Sequence, residues 1–344
     1  MSETPPGRQP EPPRHGGDLA ALRRAGAEDY AGEWIDLSTG INPGPYPMPS
    51  VPDGAWTRLP SAIEVEALLA AARGAYGCPP AAGIAAAPGT QAAIQWLPRL
   101  FAPARVAVLG PTYAEHAYAW RMAGHAVTEI EGLPGSLNGV DVLIVVNPNN
   151  PDGRVIGRDM LLRWQKELAG RGGWLIVDEA FADVAPETSL ADAAGSPGLL
   201  ILRSFGKFFG LAGLRLGFVL GEPGVTRVLA AALGPWAVCG PALSIGTAAL
   251  SDTAWQTAMR SALRERQVRF DQALRQRGIH VIGGTGLFRL AKIADAAAFA
   301  AALRKQGVHV RIFDNRPHWM RFGLPADEAE FLRRLDMTLQ QFQL

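Results

Sequence analysis

Leu202-Arg-Ser-Phe-Gly-Lys-Phe-Phe-Gly-Leu-Ala-Gly-Leu-Arg-Leu-Gly-Phe218 places one lysine, Lys207, in an apolar, glycine-rich stretch directly after a buried-strand pattern. An ammonium there is costly to desolvate, so burial lowers its pKa and frees the neutral amine for Schiff-base chemistry. The plainer alternative is a lysine snorkelling from a strand end, and the neighbours decide against it. Ser204 precedes Lys207 by three residues and Arg215 follows by eight. A hydroxyl and a planar guanidinium fork therefore reach one phosphate tethered near the amine.

Outward from this segment the chain alternates strand and helix signals. Strands are expected at Val106 to Leu109, Val142 to Val146, Trp174 to Asp178 and Leu199 to Arg203, with helices at Ile63 to Tyr76, Gln91 to Leu97, Tyr113 to Ala123 and Met160 to Ala169. Unbroken apolar strands alternating with helices imply an α/β fold with a mostly parallel sheet covered on both faces. After Gly221 one long amphipathic helix is expected from Ala242 to Arg277. Strands at Leu287 to Leu290 and Val308 to Ile312 flank a helix over Asp295 to Gln306, which makes a smaller α+β domain. The divisions expected are a disordered tail over 1–13, an N-terminal segment over 14–45, a large domain over 46–225 and a small domain over 226–344.

In open parallel sheets ligands bind beyond the carboxyl ends of the strands, and the informative polar residues fall there. Asp178 closes the strand Trp174-Leu-Ile-Val177, and a carboxylate in that place needs a partner. Asn150 sits in the Asn-, Pro- and Gly-rich turn after Val146, and Tyr113 follows the Gly110-Pro111 break. The Gly89-Thr90-Gln91 turn offers backbone N–H donors at the start of a helix. Pyridoxal 5'-phosphate (PLP) matches this set. Asp178 would keep its pyridine nitrogen protonated, Asn150 would donate to its phenolic oxygen, Tyr113 would stack on its ring, and Ser204, Arg215 and the Gly89 turn would bind its phosphate.

Gly89-Thr90, Tyr113, Asn150-Pro-Asp-Gly, Asp178-Glu-Ala, Ser204-x-x-Lys207 and Arg215, in that order, resemble the fold-type I PLP enzymes of the class I/II aminotransferase group. A narrower resemblance rests on Arg14-His-Gly-Gly17, Asp36-Leu-Ser-Thr-Gly-Ile-Asn-Pro43, Pro235-Trp236 and the Phe of Asp178-Glu-Ala-Phe181. These are similar to the L-threonine-O-3-phosphate decarboxylases of cobalamin biosynthesis, relatives of histidinol-phosphate aminotransferase. The resemblance implies that Lys207 carries the cofactor and that Arg321 binds the substrate carboxylate. It also implies that Arg311 and His15 bind the substrate phosphate, with Gly17, Asn42 and Asn150 adding substrate contacts, and that the active sites are shared across a homodimer. Where many relatives have Tyr-Pro, with the Tyr reaching the cofactor phosphate across the dimer interface, this chain has Leu59-Pro60, which leaves open whether another donor, Tyr46 being one candidate, takes its place. The runner-up activity is transamination of a phosphorylated amine such as histidinol phosphate.

Other classes find little support. A formal net charge of +1, without a basic tract, argues against nucleic acid, and no helix-turn-helix pattern precedes the fold to make a PLP-sensing regulator. Cys78 and Cys239, far apart, fit a reducing compartment. No apolar run is long enough to span a bilayer, so the expectation is a cytoplasmic protein. The six histidines lack the spacing of a metal-ligand pair, and no G-x-S-x-G elbow suggests a serine hydrolase.

Overall fold

The strand patterns in the middle of the chain assemble into one sheet. The computed structural model describes residues 11–24 and 30–341, and residues 1–10 of the expected disordered tail lie outside them. Among the described residues a seven-stranded sheet is formed by β1 (Gly83–Ala87), β2 (Arg105–Gly110), β3 (Ala126–Glu131), β4 (Val142–Val146), β5 (Trp174–Asp178), β6 (Leu199–Ser204) and β7 (Gly217–Gly221). Its order is β1-β7-β6-β5-β4-β2-β3. The pairings β6–β5, β5–β4, β4–β2 and β2–β3 are parallel, and β7 runs against both of its neighbours.

Every residue of β4 and β6 is buried. The pleat divides them between two cores. Leu143, Val145, Leu175, Val177, Leu199 and Ile201 face the side covered by Leu68, Leu161 and Leu243, while Val142, Ile144, Ile176, Leu200 and Leu202 face Ile94, Ala117, Trp120 and Leu229. Helices on both faces therefore account for the unbroken apolar runs. Each such Leu or Ile stabilises the fold by about 1.5–3 kcal/mol through burial.

A second sheet, antiparallel throughout, contains β8 (His280–Thr285), β9 (Phe288–Lys292), β10 (Arg311–Phe313) and β11 (Arg316–Gly323) in the order β10-β11-β9-β8. Ile35–Asp36 pairs in parallel with Val308–His309 and stitches the N-terminal segment to this region.

Several expectations need correction. The long helix expected from Ala242 to Arg277 is two helices, Gly240–Ser251 and Thr253–Gln276. The break falls at Asp252, whose carboxylate accepts a hydrogen bond from the Trp255 N–H and caps the second helix. The strand expected over Val308 to Ile312 is two short strands belonging to different sheets. Residue 283, in β8 beside a register shift, is glycine because a Cβ there would meet the Asp152 carbonyl oxygen at 2.1 Å. Strands β1, β3, β7, β8 and β11 were not expected. No helix of the described residues is long and apolar enough to cross a membrane.

Candidate active site

The carboxyl ends of β2, β4, β5 and β6, the end of β1 and the start of β7 all meet at one edge of the large sheet. A cavity of about 230 Å³ opens there. The structure brings Gly89, Thr90, Gln91, Tyr113, Asn150, Asp178, Ser204, Lys207, Arg215, Arg321 and His15 into its lining, joined by Ser38, Thr39 and Phe181. A larger mouth of about 540 Å³ adjoins it, sharing His15, Tyr113, Asn150 and Arg321 and adding Arg14, Arg311 and Arg316.

Lys207 stands on the short helix Phe205–Phe208 that leaves β6. Burial, reinforced by the positive charges of Arg321 and Arg215 against the opposing pull of Asp178, brings its amine down to about 8. The Phe181 ring lies 6.0 Å from Nζ. Asp178 is buried at the end of β5. Its Oδ2 pairs with His116 Nε2 at 2.8 Å, its Oδ1 accepts from the Ala180 N–H at 3.0 Å, and both side chains of the His116 pair are almost fully sealed. That pairing is the most direct structural feature missed by the sequence reading. His116 lies one helical turn beyond Tyr113, but its partner is 62 residues away and only the fold brings them together.

Tyr113 is held by a hydrogen bond from its hydroxyl to Gln91 Oε1 at 3.0 Å. Burial, with the Glu115 and Asp178 charges nearby, raises its pKa and keeps it a phenol. Gly89 has φ +80°, and a Cβ there would come within 2.7 Å of the Arg215 guanidinium. Glycine thus leaves the backbone N–H groups of the turn and the Arg215 fork side by side, as a phosphate requires.

Arg321, on β11, is 7% exposed, yet the oxygens it donates to are neutral: Asn150 Oδ1 at 2.5 Å and the Ser38 carbonyl at 2.7 Å. Its Nε has no partner. Burial and the neighbouring Arg311 disfavour its charge, so an anion arriving in the cavity relieves an uncompensated cation. Arg311 donates to the Arg14 carbonyl at 2.7 Å and faces the mouth.

Three expected residues lie outside the cavity lining. Asn42 spends its amide on the Phe208 carbonyl and the Gly44 N–H, and its backbone N–H donates to the Lys207 carbonyl. It props the Lys207 segment from behind, and its side chain is taken up by these bonds. Gly17 donates its N–H to Ser38 Oγ at 2.8 Å and anchors the N-terminal strap. Arg311 belongs to the mouth, as above. The Tyr46 hydroxyl bonds Asp252 at 3.3 Å and its ring packs against Phe209 and Trp255. No group of three or more His, Cys, Asp or Glu side chains that could hold a metal ion occurs among the described residues.

These residues fit PLP on the structure's own terms: an enclosed amine of lowered pKa, a buried carboxylate fixed by a histidine, and a glycine cradle that a Cβ would fill. The chain belongs to the aminotransferase class I and II family, whose pattern matches residues 59–335. Within that family it is similar to a threonine-phosphate decarboxylase of Pseudomonas aeruginosa, 47% identical over 96% of this chain and 98% of that protein. A threonine-phosphate decarboxylase of a Sinorhizobium species is 44% identical, with the same coverage. Among solved structures, the histidinol-phosphate aminotransferase of Sinorhizobium meliloti in complex with pyridoxal 5'-phosphate has a TM-score of 0.78 at 19% identity, covering 99% of this chain and 97% of that one.

Proposed function

We propose that this chain is a PLP-dependent decarboxylase that converts L-threonine O-3-phosphate to (R)-1-amino-2-propanol O-2-phosphate and CO2, a step of cobalamin biosynthesis. The observation that carries this reading is Arg321, a buried cation with only neutral oxygens for partners, placed between Lys207 and a mouth that carries Arg311 and His15. One wall thus offers an anchor for a carboxylate and another for a phosphate, and the substrate carries both.

Lys207, the Gly89 turn, Ser204 and Arg215 would hold PLP, which when bound would supply a sink for the electron pair left when a bond at Cα breaks. Asp178, fixed by His116, would hold a proton on the ring nitrogen, with Tyr113 placed to cover the ring and Asn150 to donate to the phenolic oxygen. Arg321 binds the substrate carboxylate while Arg311 and His15 bind the phosphate. Fixing both ends would restrict Cα to one orientation and single out its bond to the carboxylate for cleavage. CO2 would leave with the bond's electron pair remaining at Cα, and Lys207, which lines the same cavity, or water would supply the proton that takes its place.

We also propose a cytoplasmic homodimer. It is supported by exposed apolar side chains near the start of helix Ala62–Tyr76, where Trp56, Leu59 and Ile63 are 68%, 64% and 77% exposed and Trp236 adds 57%, and by two unpaired cysteines. The activity is tested by comparing L-threonine O-3-phosphate alone with histidinol phosphate plus 2-oxoglutarate. CO2 release from the first with no amino transfer in the second is expected. The reverse pattern would replace decarboxylation with transamination.

A further inference from the structure

The groups facing the cavity leave unexplained a carboxylate sealed behind its wall. Glu115 opens the helix Glu115–Met122 and is 6% exposed. Its Oε1 meets His15 Nε2 at 2.6 Å across 100 residues of sequence. Its Oε2 accepts from Gln91 Nε2 at 2.6 Å and from Gln95 Nε2 at 3.0 Å. Gln91 in turn accepts the Tyr113 hydroxyl at 3.0 Å. The chain closes on itself, since the His15 and Tyr113 rings lie 5.8 Å apart between centroids.

A buried carboxylate is tolerated only when its acceptor sites are filled, and here the donors that fill them come from cavity-lining residues and one supporting glutamine. The other ties of the N-terminal strap fix backbone, namely the Arg14 carbonyl to Arg311 and the Gly17 N–H to Ser38. A further ion pair, Arg14 with Asp314 at 3.9 Å, is largely exposed and contributes little. Glu115 is the tie that fixes the imidazole itself.

We propose that Glu115 is a positioning residue of the reaction. It holds His15 at the phosphate end of the substrate and, through Gln91, holds Tyr113 at the cofactor face, so that one buried carboxylate sets the spacing of the two ends. The inference rests on the reading of His15 as a phosphate ligand.

The test uses PLP-loaded protein, with inorganic phosphate as a competitive inhibitor of L-threonine O-3-phosphate turnover and the cofactor dissociation constant as a second readout. His15→Ala weakens phosphate inhibition by about tenfold, the scale of one hydrogen bond to a charged group. Glu115→Ala weakens it by a similar factor, and the double variant is no worse than either alone, because the two residues act as one unit. Glu115→Ala also loosens the cofactor, whereas His15→Ala leaves cofactor affinity unchanged. Glu115→Gln, which keeps the volume and a neutral hydrogen bond, falls between wild type and Glu115→Ala and carries the test if the alanine variant melts early. If His15→Ala leaves phosphate inhibition unchanged, the phosphate reading of His15 falls, and this inference with it. Weakened inhibition in His15→Ala beside wild-type inhibition in both Glu115 variants, or additive losses in the double variant, overturns the positioning role alone.

Discussion

At Lys207, burial and the guanidinium of Arg321 act in the same direction and bring the amine from 10.5 down to about 8. Only the neutral amine adds to an aldehyde, so capture of PLP by the cofactor-free protein rises as pH climbs through about 8 and is flat above it; stopped-flow absorbance checks this. The sign for stability agrees. Between about pH 8 and 10.5 the unfolded chain holds a proton that the folded one has released, so the cofactor-free protein gains stability with rising pH across that window. Arg321 provides a second check at this scale. Its fork donates to Asn150 and Ser38 without a counter-anion, and truncation to Arg321→Ala is expected to lower kcat/KM for L-threonine O-3-phosphate about ten- to a hundredfold. Thermal stability should be retained or raised, because an uncompensated buried cation is removed. A steady-state assay paired with a melting curve reads both effects.

The elements were legible in proportion to how completely the sheet buries them. Strands β4, β5 and β6 are sealed on both faces, and their Val, Leu and Ile runs announce them. By contrast β1 is Gly-Ile-Ala-Ala-Ala, too small in side chains to signal a strand, and β3 is an edge strand whose Ala-Val-Thr-Glu-Ile-Glu leaves four of its six residues exposed. In β11 the arginines, His318 and Trp319 mask a strand that delivers Arg321, and only the resemblance to a known family pointed to that residue. His116 and Glu115 stayed hidden because each is defined by partners distant in sequence. The helix break at Asp252 was missed for another reason: amphipathic periodicity runs through it, and only the cap marks it. Asp252→Ala removes that cap and the Tyr46 contact and is expected to destabilise the fold by about 1 kcal/mol, measured by urea unfolding.

For the whole molecule, the site depends on two sheets meeting. The ends of the large sheet carry the residues proposed to hold the cofactor, the antiparallel sheet supplies Arg311 and Arg321, and the strap from Arg14 to Gly17 lies against both. The paired Glu131 and Arg316 side chains link β3 to β11 across the mouth. Exposed Trp56, Ile63 and Trp236 predict that the proposed dimer is lost in Ile63→Glu, with the protein running at 36.6 kDa in light scattering where wild type runs at about twice that mass, as a two-fold pair requires. The central claim, that the two cationic anchors direct cleavage of the Cα–carboxylate bond, is tested most directly with L-threonine O-3-phosphate labelled with 13C at the carboxyl carbon and no keto acid present. The account predicts sustained turnover with one labelled CO2 released for each aminopropanol phosphate formed. A single burst of amine transferred to the cofactor, with the label retained in the organic product, would contradict it.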